Sequence, residues 1–124
     1  MQVNGTDFVL YEVNDFEKAV DFYQNTLGLP LTWKEESFDW AEFDAQQTTI
    51  GVYNPQKAEG RAAVPGGMVF LAVNNVHDTL MELKEKGVTI LFGPIDSPVC
   101  EMGGILDPFG NRVGIHHRKD GSVG

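Results

Sequence analysis

Cysteine is nearly missing from this chain. Cys100 stands alone, so no internal disulfide can form, and a buried thiol is its expected state. Basic residues are also few. Nine Lys and Arg face eighteen Asp and Glu, a net charge of −9, which argues against nucleic acid and anionic membrane as partners because both bind basic surface. A cationic ligand would suit that balance, although acidity also serves solubility alone. Long apolar runs are absent too. The longest, from Met68 to Val73, falls far short of the ~20 residues that a membrane helix needs. The opening MQVNGTD has no basic cluster with an apolar stretch behind it, so no secretory signal is read and the cytoplasm is the expected compartment. No GxGxxG or GxxxxGK phosphate loop, no serine-centred nucleophile motif and no CxxC pair occurs.

What is present is a repeat. At 124 residues the chain has the length of one compact domain, or of two small units sharing a core. In FVLYEVNDFEKAVDFYQNTLG, Val9, Tyr11 and Val13 alternate with Phe8, Leu10 and Glu12, which predicts a strand. Asn14 and Asp15 can cap a helix, Phe16, Ala19, Val20, Tyr23 and Leu27 follow at helical spacing, and Gly28 can end it. MVFLAVNNVHDTLMELKEKGV repeats the plan with Val69, Leu71 and Val73, with Asn74 and Asn75, with Val76, Leu80 and Leu83, and with Gly87. Strand and cap recur sixty positions on, but the closing glycine recurs after fifty-nine. Each helix precedes three short strand-like pieces, with turns at Asp44–Gln47 and Asp107–Asn111.

The expected fold is therefore α+β, one domain of two β-α-β-β-β modules at 7–54 and 68–117. A polar Gly/Pro/Ala-rich linker spans 55–67, and a frayed tail spans 118–124. Two such units can form a curved mixed sheet around a cleft, with helices outside and alternate strand residues lining the inside. A concave, largely apolar cavity of that kind suits a small molecule.

VNDFEKAVDFYQNTLGLPL and ILDPFGNRVGI resemble the two signatures of the vicinal oxygen chelate superfamily, which includes glyoxalase I, extradiol dioxygenases, fosfomycin-resistance enzymes and bleomycin-resistance proteins. The resemblance covers roughly residues 7–117. In metal-dependent members it implies a divalent ion held by His or Glu from the first and last strands of each module. Those positions correspond here to Phe8, Gly51, Met68 and Gly114, none of which can hold such an ion with its side chain. The expectation is thus a cleft with no metal and no cofactor, made apolar by Phe8 and Met68 and opened at its floor by Gly51 and Gly114. The resemblance also implies a homodimer, in some members with modules exchanged between chains.

Further cleft contacts are expected from residues sharing these faces: Leu10 and Glu12, Thr49 and Tyr53, Phe70, Arg112 and His116. Met102 and Glu101 lie in a strand whose register the sequence leaves open, within an EMGG segment that resembles a cavity-bordering loop of other members. His117 faces away from His116, so the pair cannot chelate from one face, and His77 is expected in solvent. A displaced metal site using Glu12 and His116 is conceivable. Trp33, Phe38, Trp40, Phe43 and Tyr53 cluster in the outer strands of the first module, as stacking surface, core or dimer contact. The reading is a metal-independent protein that sequesters an aromatic or cationic compound. The alternatives are a lyase, isomerase, ring-cleaving oxygenase or thiol transferase, using a displaced metal site or none, and a sensor domain.

Overall fold

The computed structural model describes Gln2, Asn4 and residues 6–123; Met1, Val3 and Gly5, in the stretch read for a secretory signal, and the last tail residue, Gly124, lie outside the described residues. The chain divides into two compact units, Met1–Pro65 and Gly66–Gly124.

The first unit runs β1 (Phe8–Glu12), α1 (Phe16–Asp21), a π-helical turn (Phe22–Thr26), β2 (Leu31–Glu35), β3 (Trp40–Asp44), β4 (Thr49–Tyr53) and α2 (Pro55–Glu59). Asp15 starts α1, its carboxylate accepting from the Lys18 N–H at 3.1 Å. The wider turn closes with the Leu27 N–H on the Phe22 carbonyl at 2.9 Å and takes in one more residue than an α-turn would. That residue accounts for the missing step in the repeat. Gly28, at φ +73°, then ends the segment in a conformation that favours glycine.

The first unit's sheet has the order β1-β4-β3-β2, with β1 and β4 parallel and the other pairs antiparallel. Period-two alternation sends Tyr11, Ala41, Phe43, Ile50 and Val52, all fully buried, to the face shared with Ala19 and Tyr23 of the helical segment. Tyr11 stacks on Tyr23 at 6.1 Å, and Tyr23 meets Phe43 at 5.8 Å. Each large side chain buried in this way contributes about 1.5–3 kcal/mol.

The second unit runs β5 (Met68–Ala72), α3 (Val76–Glu85), β6 (Thr89–Asp96), β7 (Cys100–Leu106) and β8 (Arg112–Arg118). Its order, β5-β8-β7-β6, repeats the first sheet. Asn75 caps α3 through the Asp78 N–H at 2.9 Å. Val76, Leu80 and Leu83 are buried, as are Ile105, Val113 and Ile115 of the sheet. A Cβ at Gly103 would lie 2.6 Å from Leu80 Cδ1, so α3 approaches β7 at the distance glycine permits. The turn into β8 is built on buried Asp107, whose carboxylate accepts from the N–H groups of Phe109 and Asn111 and from the Asn111 side-chain amide, at 2.8–2.9 Å.

Two expectations are corrected, on the tail and on Cys100, and the linker gains an element, because Pro55–Glu59 form α2. Asn54 accepts from the Gln56 N–H, Pro55 sits at the first helical turn and Gly60 ends it at φ +66°, a short-range code masked by the composition. The tail is not frayed from residue 118. Arg118 closes β8, the Lys119 N–H donates to the Val99 carbonyl, and Lys119 Nζ pairs with Asp96 at 2.6 Å. Cys100 is half-buried rather than buried, because β7 starts at the end of its sheet, beside the Ser97 turn.

Candidate functional site

Each sheet has one face toward its helix; the pleat assigns the alternate residues to the other. In the first unit, register places Phe8, Thr49 and Asp44 in one row of this open face. Leu10, Gly51, Glu42 and Trp33 form the next, and Glu12, Tyr53, Trp40 and Glu35 the third. In the second unit the rows are Met68, Arg112 and Leu106, then Phe70, Gly114, Gly104 and Phe92, then Ala72, His116, Met102 and Ile95. The expected contacts thus gather on two faces, six in each unit. The register fixes Met102 beside His116, brings in Trp40 from the aromatic cluster, and adds Glu42, Phe92 and Gly104, which the sequence did not single out as site residues.

On the first face Phe8 meets Trp40 edge-on, with centroids 5.9 Å apart and planes at 78°, and Trp40 lies 5.5 Å from Tyr53. The Trp40 Nε1–H donates to Glu42 at 2.9 Å, which fixes the indole against the sheet. Phe8 and Trp33 remain 43% and 49% exposed, an unusual cost for large apolar groups. The aromatic cluster read from sequence therefore separates by strand parity. Phe43 belongs to the core, Phe38 to the β2–β3 turn, and Trp33, Trp40 and Tyr53 to the open face.

Glu12 is held from within its own unit. The Arg61 guanidinium donates to both of its oxygens, at 2.8 and 2.6 Å, and the Val64 N–H adds a third bond at 2.9 Å. Arg61 also reaches Glu59, which accepts from the Tyr53 hydroxyl at 2.5 Å. The Arg61 hydrogen bonds hold the Glu12 carboxyl below its ordinary range. Those of Tyr53 first, and then Arg61, do the same for Glu59, while the Glu59 carboxylate pushes the Tyr53 hydroxyl up. One signal could have revealed this network: Arg61 is the sole arginine among the first sixty-five residues.

The glycine floors are not open in the way the sequence suggested. A Cβ at Gly114 would collide with the edge of the Phe70 ring, and one at Gly104 with the edge of the Phe92 ring. Gly51 is roofed by Leu10 Cδ1, 3.0 Å from where its Cβ would lie. Rings and a leucine from neighbouring strands thus fill the space that missing side chains leave. His116 stands edge-on to Phe70 at 6.1 Å. His117 points to the other face, with Nδ1 3.0 Å from the Val73 carbonyl, and His77 is exposed in the first turn of α3.

The residues present do not fit the divalent ion that the resemblance implies. Phe8, Gly51 and Gly114 bring no donor atom, and Met68 brings only a soft thioether. Glu12 is engaged by Arg61. Within neither unit do three His, Cys, Asp or Glu side chains gather to hold a metal among the described residues. Among those residues, no helix is long and apolar enough to cross a membrane.

Comparison with known proteins adds a lineage to this geometry. The Glyoxalase/Bleomycin resistance protein/Dioxygenase superfamily matches residues 5–115. The uncharacterized protein YraH of Bacillus subtilis (strain 168) is 34% identical, over 84% of this chain and 91% of its own. A superfamily member from Sphaerobacter thermophilus DSM 20745 superposes with a TM-score of 0.78 at 26% identity, covering 95% of this chain and all of the other. TnmS3, an antibiotic binding protein from Streptomyces sp. CB03234, gives a TM-score of 0.78 at 24% identity, over 96% of this chain and 99% of its own, a likeness of fold.

Proposed function

The chain belongs to the Glyoxalase/Bleomycin resistance protein/Dioxygenase superfamily, and from that premise we propose that it is a metal-independent binding protein for a small aromatic or cationic compound. One observation carries the reading: the first unit's open face sets Phe8 and Trp40 at right angles, beside the Glu42 carboxylate. Perpendicular ring faces attract an organic cation through their quadrupoles, by about 0.5–2 kcal/mol per ring. A nearby carboxylate complements the charge, and flat apolar surface takes the rest of the ligand. The misfit of Phe8, Gly51, Met68 and Gly114 with a hard metal ion supports the same reading. TnmS3 shares this fold and bears the name of an antibiotic binding protein, so sequestration is a use the architecture can serve. The proposed binding residues are the expected ones of each unit's open face, each face taken by itself, with Trp33, Trp40 and Glu42 added to the first. Its proposed partners are the small molecule and a second copy of the chain, in the cytoplasm.

The test pairs metal analysis of purified protein with a thermal-shift screen, with and without a chelator. The screen sets aromatic cations against neutral and anionic analogues of the same shape. The expected result is a rise in Tm with aromatic cations that chelation leaves unchanged. Stoichiometric divalent metal in the purified protein, or no shift with any compound, would overturn the proposal.

A further inference from the structure

The second unit's open face has one row with an unusual make-up. Across the order β5-β8-β7-β6 it reads Phe70, Gly114, Gly104, Phe92, one residue per strand. The two central strands have no side chain there, so the floor is bare peptide. The two outer strands each lean a ring over it, Phe70 onto Gly114 and Phe92 onto Gly104. The chain's own phenyl groups therefore show what this floor accepts: a flat aromatic ring lying against glycine backbone. The two rings differ in freedom. Both rings stand on edge strands, but Phe70 is 48% exposed whereas Phe92 is half-buried, so Phe70 is the freer to leave its place by turning to another staggered rotamer.

We infer that Phe70 is a self-supplied plug that determines the specificity of this face. It occupies the seat of a planar, fused-ring aromatic ligand and sets how large a ring system can enter. The inference rests on the reading that the open faces bind a small aromatic compound, and it assigns ring size to one residue of that site. A seat filled by the protein's own ring must be vacated before a ligand enters, which lowers apparent affinity by the fraction of time it is filled. Methionines flank the seat at Met68 and Met102, and their flexible thioethers adapt to different ring outlines.

The probe is proflavine, a flat three-ring cation, followed by fluorescence titration and by amide NMR shifts. Phe70→Ala should bind it about fivefold or more tightly than the wild type, with an unchanged melting profile. Ring-current shifts should centre on the Gly104 and Gly114 amides. Gly114→Ala placed in the Phe70→Ala background meets no ring, so it should fold, and it should cancel the gain by raising the floor. Equal or weaker binding by Phe70→Ala would overturn the plug, as would a double variant that keeps the gain. Saturable binding with shifts confined to the first unit would sink the plug while leaving the binding reading intact. No binding by either protein to proflavine or to any screened compound would remove both.

Discussion

Arg61 shows what single residues contribute that pattern reading misses. Alternation placed Glu12 on the right face, but it could not show that a residue forty-nine positions away would take both of its oxygens. Periodicity fixes which way a side chain points, whereas partners depend on how the connecting segment folds back. Because Glu12 and Glu59 titrate below their ordinary value of 4.5, they stabilise the fold fully above that pH. That contribution is lost as pH falls through their lowered folded values. Arg61→Ala should thus lower Tm at pH 7, and its gap from the wild type should narrow by pH 3, as thermal melts at the two pH values would show. Trp40 is the residue to probe for function. Trp40→Leu keeps apolar bulk but removes the ring face, so it should weaken an aromatic cation's binding roughly tenfold in a titration while sparing a neutral aliphatic compound.

Among the elements, legibility followed range. The caps at Asp15 and Asn75 and the terminators at Gly28 and Gly87 are local devices, readable from a few neighbouring residues, and the structure has them where the sequence put them. The short helix α2 is different. A five-residue helix is too short to hold itself, and this one is tied down by the Tyr53–Glu59 and Lys57–Asp39 contacts from strands and turns earlier in the chain. Sheet register also escaped the sequence, and with it the seating of Phe70 and Phe92 over glycines. The Asp107 turn joins both ranges, since its sequence signalled a turn while burial made its carboxylate indispensable. Asp107→Ala strips three donors of their acceptor, two of them on buried Asn111, and should cost about 2–3 kcal/mol in urea unfolding.

Over the whole molecule, the two-unit plan was legible because it is written twice, and the doubled sheet order repeats it. Charge is not doubled. Eleven acids against four bases leave residues 1–65 at −7, whereas seven against five leave residues 66–124 at −2. Most of the attraction for a cation therefore belongs to the unit bearing Phe8 and Trp40. An aromatic cation should outbind its neutral isostere by severalfold at low ionic strength, and the two affinities should converge near 1 M salt, where screening reaches only about 3 Å. Titrations across a salt series would check this. The two copies also differ in length, and the difference resides in the π-helical turn at Phe22–Thr26. A surplus residue in a strand would have reversed the facing of every side chain beyond it. Housed in a helix, it changes only one loop of hydrogen bonds. The helix is thus where one copy of such a repeat can carry an extra residue while its sheet, and whatever the sheet has come to hold, keeps its facing.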